Sequence, residues 1–178
     1  MGRAVDRATV VDAEHLAAVQ ITSWRAAFAG LLAASELAAL NVEDLQGSWE
    51  QKLVDEADAW PRTGTLAVRE DGRLVGYSRF YPTEDRDDDP ARVATIGSIY
   101  SLPEGWGTGV GTALMSAVVS TLAEAGYRES TLWVLRGNLR AQSFYRSRGW
   151  AQDHGVEQIL SGDEAVEKLR FRRVVPSS

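Results

Sequence analysis

Apolar and polar positions along the chain change period several times, and each change marks an element. Arg3 to Ala8 reads as a short strand. Thr9 follows with Asp12 three residues on, a reciprocal helix cap. Leu16, Val19, Ile21, Trp24 and Phe28 then fall roughly on one side of a helix reaching about Ala29, and Gly30 stops it. A second helical region spans about Ser35 to Ala57 and breaks near Asn41, which can cap the segment from Val42 onward. The runs TLAVRE and RLVGYSRFY flank Asp71-Gly72, the dipeptide favoured in type I′ turns, and predict a hairpin. Ala91 to Leu102 reads as a further strand. Val110, Ala113, Leu114, Ala117, Val118, Thr121 and Leu122 recur at helical spacing up to about Ala125, with Gly126 as the stop. Ser130 to Leu135 is again a strand, so the helix between is a right-handed crossover joining parallel strands. A short helix from Leu139 to Arg148 ends at Gly149, and two strands follow near Trp150 to Val156 and Leu169 to Val175. The order predicts a mixed α/β sheet flanked by helices.

Composition narrows what such a sheet can serve. The 178 residues, 44% of them hydrophobic, suffice for one well-buried core. There is no cysteine, which excludes disulfides and thiolate metal sites and fits a reducing cytoplasm. MGRAVDRATVVD lacks the apolar stretch of a secretory leader, and Asp6 breaks the myristoylation pattern. The uncharged run Gly105 to Ala123 carries four glycines and is amphipathic, so a membrane span is not expected. A net charge of −6 without a basic stripe argues against nucleic acid and suits an amine-bearing partner better. His15 and His154 are too few for a histidine-based zinc site. The acidic, proline-bounded stretch Pro82 to Pro90 reads as a solvated, mobile connection rather than a metal site.

The candidate chemistry lies in EGWGTGVGTAL, Glu104 to Leu114, where glycines alternate directly before a helix. A helix N-terminus presents unpaired N–H groups and the positive end of its dipole. Gly107, Gly109 and Gly111 would let a bulky anion reach those donors, with the hydroxyls of Thr108 and Thr112 beside them. The alternative is a tight turn that merely needs glycine. The spacing lacks the lysine of a P-loop and is G-x-G-x-G rather than the dinucleotide fingerprint, so the phosphate is a handle and not a reactant.

The strand before this turn and the stretch RGNLRAQSFYRSRGW after the next strand together resemble the GCN5-related N-acetyltransferase (GNAT) family. IYSLPEGWGTGVGTALM matches the family's R/Q-x-x-G-x-G/A signature with Gly109 and Gly111 as its glycines. Asn138, Ala141, Phe144, Tyr145, Gly149 and Trp150 match its later N-x-x-A-x-x-F-Y-x-x-x-G-F pattern, with Trp150 at the final aromatic. The residue-level match runs from about Ile96 to Trp150. Two departures stand out: Trp106 replaces the usual Arg or Gln, leaving Arg140 or Arg136 to add charge, and Ser98 replaces the glutamate many members use as a base.

The resemblance implies a mostly antiparallel, twisted α/β sheet of about six to seven strands, whose parallel pair (about 91–102 and 130–135) opens a cofactor cleft. It implies a single acyltransferase domain over 1–178, with helices in about 10–57 on the acceptor side and about 91–150 binding acetyl-CoA. The implied reaction transfers acetyl from acetyl-CoA to a primary amine, without a metal. Tyr145 takes the proton-donor position, although at helical spacing beside Phe144 it also reads as a core aromatic. Backbone groups of Tyr100, Ser101 and Leu102 would pair with the pantetheine arm. Trp106, Gly107, Thr108, Gly109, Val110, Gly111 and Thr112 would surround the diphosphate, and Asn138, Arg140, Ala141 and Phe144 would border the cofactor, Asn138 equally as a helix cap. Trp24, Phe28, Tyr81 and Trp133 are candidates for the acceptor pocket and equally for the core. Glu36, Asp44 and Glu84 could attract an amine, and no general base is assigned. Members commonly dimerise, so a homodimer is among the implied states. The missing base also keeps open a non-catalytic acyl-CoA-binding module.

Overall fold

The computed structural model describes residues 2–176. Seven strands form one sheet in the order β1-β2-β3-β4-β5-β7-β6. β1 (Arg3–Arg7), β2 (Gly64–Glu70), β3 (Arg73–Pro82) and β4 (Val93–Ser101) are successively antiparallel. β5 (Glu129–Leu135) runs parallel to β4, and β7 (Glu164–Val174) is antiparallel to both β5 and β6 (Ala151–Ser161). The β2–β3 turn has positive φ at both Asp71 and Gly72, as a type I′ turn requires.

Five helices cover the sheet: α1 (Ala13–Ala27), α2 (Ala34–Ala39), α3 (Val42–Ala57), α4 (Val110–Glu124) and α5 (Leu139–Arg146). β2 and β3 are buried on both faces, because α1 and α3 pack together over one side and α4 lies on the other. Leu16, Val68, Phe80, Val110, Leu114, Val118, Leu122 and Phe171 make the centre of this core. Trp49 stands edge-on to Tyr77 at 5.0 Å and donates its indole N–H to Gln20. Asn41 caps α3 by accepting from Asp44 N–H at 2.9 Å.

Three expectations need adjustment. The first helix begins with a 3-10 turn at Val10–Asp12 and ends at Ala27, earlier than Ala29, because Leu31 and Leu32 N–H both turn back to Phe28 O. The last two strands extend well past Val156 and start well before Leu169, forming a long hairpin that turns at Gly162. The acidic stretch is not a free connection: Asp85, Asp87 and Asp88 close on Arg170 and Arg172 of β7, with Asp153 of β6 joining them. Arg170 is 2% exposed, and a buried guanidinium requires such partners. Among the described residues, no helix is long and apolar enough to cross a membrane.

Candidate active site

The site begins where β4 and β5 part. They pair only over Val93–Thr95 and Glu129–Thr131, with the Thr95 and Thr131 hydroxyls 3.1 Å apart at the fork. Beyond the fork β4 carries a bulge at Gly97, since Arg79 pairs with Ser98 while Phe80 pairs with Ile96. Only a glycine fits there: a Cβ would lie 2.5 Å from the Tyr81 ring. The gap widens into a cleft of about 490 Å³ bordered by both strands, the end of α1, the glycine turn, α5 and the β6–β7 hairpin.

β4 presents an unpaired edge to this cleft. Leu102 N–H pairs with Val75 O at 2.9 Å, so strand alternation turns Ser101 and Ile99 the other way, toward the opening. The Ser101 carbonyl accepts from the Ser23 hydroxyl at 3.0 Å and from the Trp106 indole at 3.1 Å. Leu102 is thus excluded from the open edge, contrary to expectation, and is 6% exposed. The same alternation turns the Tyr100 backbone toward β3, so of the three expected backbone partners only Ser101 lies on the open edge, although Tyr100 also lines the cleft.

At one end of the cleft the glycine turn leads into α4. Gly107 has φ +79° and Gly109 +92°, the left-handed region in which side chains are strained. The first hydrogen bond of the helix runs from Ala113 N–H to Gly109 O, so the amides of Val110, Gly111 and Thr112 precede it without backbone partners. A Cβ on Gly111 would stand 3.1 Å from the Phe144 ring, so bare backbone is what keeps this approach open. Gly107 and Gly111 border the cleft, whereas Thr108, Gly109, Val110 and Thr112 are not in its wall. Val110 is instead a core residue. The two threonine hydroxyls are engaged elsewhere, Thr108 donating to Gly105 O at 2.8 Å and Thr112 accepting from Arg148.

Positive charge reaches the turn by a route the signature does not announce. The Arg140 guanidinium stacks 3.1 Å above the Trp106 ring, with both residues lining the cleft. Burial lowers the Arg140 pKa from its ordinary value. Arg136 turns away to pair with Glu167. Behind the turn, Arg3 donates to the Thr108 carbonyl at 3.2 Å while pairing with Glu70. No sequence signal connects β1 to the glycines.

Asn138 borders the cleft and accepts from Ala141 N–H at 3.1 Å as the cap of α5, whose Ala141, Phe144 and Tyr145 also line it. Tyr145 is 8% exposed, with its ring 5.5 Å from Phe144 and 6.3 Å from Trp150. Burial, reinforced by Tyr100 nearby, pushes its phenol well above the ordinary value. The Tyr100 phenol is itself pushed up to about 12 by burial, against a lowering influence of the Trp24 indole. That indole N–H is buried and meets no group at hydrogen-bond geometry.

At the other end Trp24, Phe28, Tyr81 and Trp133 all face the same space. Trp24 and Phe28 stand edge-on at 5.5 Å, and Tyr100 closes against both at about 6 Å. Leu32, Ile159 and Lys168 border it too, all half-buried, and no sequence signal pointed to them. None of the three acidic candidates is in the wall. Glu36 accepts from the Ser161 hydroxyl at 2.7 Å and Gly162 N–H at 2.8 Å, tying the β6–β7 turn to α2. Asp44 is bound to its cap Asn41, and Glu84 is exposed on the connection. Among the described residues, no Asp, Glu or His is in the wall. Among the described residues no group of three His, Asp or Glu could hold a metal ion.

Residues 34–150 match the Acetyltransferase (GNAT) family. An uncharacterized N-acetyltransferase of Mycobacterium bovis is 33% identical over 142 residues, covering 79% of this chain and 84% of that protein. The chain belongs to the GNAT acetyltransferase family. The GNAT fold is found over the full length as well: the PaiA N-acetyltransferase of Thermoplasma acidophilum, solved with coenzyme A, superposes with a TM-score of 0.79 at 18% identity, covering 98% of this chain and 99% of that one. An uncharacterized N-acetyltransferase of Bacillus subtilis is 24% identical over 96% of this chain and 89% of that protein. As a GNAT protein the chain is an acetyl-CoA-dependent N-acetyltransferase, with acetyl-CoA as its cosubstrate.

Proposed function

We propose that this chain transfers acetyl to a primary amine, of a small molecule or a protein, by direct attack while both substrates are bound. The observation that carries this reading is the continuity of one cleft, lined at once by the glycine turn, by Tyr145 and by the aromatic cup. The whole chain then acts as one transferase unit in the cytoplasm, residues 10–57 facing the acceptor and 91–150 holding acetyl-CoA.

Acetyl-CoA supplies an activated thioester when bound, and the cradle suits it. Unpaired amides at the start of α4 meet its diphosphate, with Arg140 on Trp106 supplying the charge that the family signature places at position 106, three residues before Gly109. The open N–H groups of β4 pair with its extended arm and stabilise developing negative charge on oxygen. Tyr145 holds its proton at neutral pH and is placed as the donor to the leaving sulfur once it has become a thiolate. With no carboxylate in the wall, the acceptor amine loses its proton to water. The cup favours an amine carried on an apolar or aromatic body over a polycation.

The test is initial-rate kinetics by thiol release across amino acids, aromatic amines, polyamines and N-terminal peptides. Intersecting double-reciprocal lines are expected, with apolar-bodied amines preferred. Parallel lines, or no thiol released with any amine, would contradict the reading.

A further inference from the structure

The acidic connection between β3 and β4 does more than neutralise two arginines. It reaches across the face of β5 and β7 that carries Trp133 and Arg170, which stand directly opposite each other in the ladder. There a single carboxylate joins the two: Asp85 Oδ1 accepts from the Trp133 indole at 3.2 Å, and Oδ2 accepts from Arg170 Nη1 at 3.2 Å. Asp85 is itself oriented, its N–H donating to the Thr83 hydroxyl at 3.2 Å. Arg170 keeps further partners in Asp87 and Asp153, at 2.6 and 2.9 Å, so its place does not depend on Asp85. A tryptophan on the rim of a cleft has two free side-chain torsions, and this one is held by a part-buried, charge-assisted chain of contacts.

We propose that Asp85 is a positioning residue for the acceptor site, holding the Trp133 indole against Arg170 so that the acidic connection sets the affinity for the amine and not for acetyl-CoA. This rests on the reading of the aromatic cup given above. Asp85 touches neither substrate, since it is not in the cleft wall, and acts only through Trp133.

Two measurements test it. The first does not involve turnover. In 15N–1H spectra the Trp133 indole resonance, assigned with Trp133→Phe, should shift and exchange faster with solvent in Asp85→Ala, while Asp85→Asn, which keeps an acceptor oxygen, retains most of the protection. An unchanged resonance in Asp85→Ala overturns the proposal. The second is kinetic: Asp85→Ala should raise the acceptor KM about tenfold, the loss expected for one hydrogen bond to a charged group, with acetyl-CoA KM unchanged. In a Trp133→Phe background, where no N–H remains to be held, the same change should have little further effect. Equal losses in both backgrounds, or a matching rise in acetyl-CoA KM, also overturn it. Failure of the wild-type protein to release thiol with any amine would sink the functional reading instead and leave the spectroscopic result standing on its own.

Discussion

At the scale of one residue, the proposed mechanism rests on Tyr145 as the proton donor. An ordinary phenol has a pKa of about 10 and a thiol about 8.5. Burial moves Tyr145 further up, which keeps the phenol protonated at neutral pH and makes proton transfer to the thiolate uphill, so the proton moves only when sulfur carries full negative charge. Tyr145→Phe should therefore lower kcat by about 10²–10³ while coenzyme A affinity, read by calorimetry, stays the same. The raised phenol and the carboxylate-free wall also fix the pH profile. Activity should climb with pH until the acceptor amine itself is neutral, its midpoint should move with the pKa of the amine chosen, and no descending limb should appear below about pH 10. A rise near pH 4–6 independent of the amine would mean a carboxylate base after all. That Tyr145 would face the cleft was readable from the pattern around it, and Ser98, standing where many members place a glutamate, matches a cleft wall without a carboxylate. Arg140 was named from the same stretch, but its stacking on Trp106 was not visible, since it depends on a crossing of α5 over the turn.

At the scale of elements, what matters is how β4 leaves its neighbour. Parallel pairing with β5 ends after three residue pairs, and the bulge at Gly97 swings the strand while Tyr81 folds over its bare backbone. Gly97→Ala places a methyl group into the Tyr81 ring, which should cost about 1–3 kcal/mol of stability by overpacking and raise the acceptor KM as Tyr81 is displaced. Thermal melting and steady-state kinetics measure the two effects. A glycine inside a strand run can mark a bulge, but Ala91 to Leu102 reads from its pattern as one uninterrupted strand. The long β6–β7 hairpin was only partly legible. Its outer halves, EQILS and EAVEKL, mix exposed and half-buried positions and so lack the clean alternation that marks a strand with one buried side. What fixes the turn is tertiary, the Glu36 carboxylate on Ser161 and Gly162.

The whole molecule is braced by charge as well as by its core. Pro82 to Pro90 looked like a solvated connection because its partners, Arg170 and Arg172, lie some eighty residues downstream and a one-dimensional pattern cannot pair them. Arg170→Leu strips a buried cation from Asp85, Asp87 and Asp153 and should cost about 3 kcal/mol, lowering Tm by roughly 6–12 °C for a chain of this length. The clasp also sets acid sensitivity. Asp87 is held below the usual carboxylate range by Arg170; Asp153 is also lowered, burial opposing and Gly155 N–H, Arg172 and Arg170 prevailing. Such groups stabilise the fold above their unfolded pKa of about 4 and lose that contribution as pH falls further. Melting scans from pH 6 to 3 should show Tm dropping most steeply below about pH 4, and the drop should be shallower in Arg170→Leu.

The central claim is that amides bared by glycine at the start of α4 hold the coenzyme in the cleft that ends at Tyr145. Calorimetric titration of coenzyme A into Gly111→Leu, beside the wild-type protein, tests it most directly. A leucine there would strike the Phe144 ring and cover the unpaired amides. We expect a one-to-one isotherm for the wild type and affinity reduced more than about a hundredfold in the variant, the scale of two lost charge-assisted hydrogen bonds, with the variant still melting cooperatively. Equal isotherms for the two folded proteins would contradict the account.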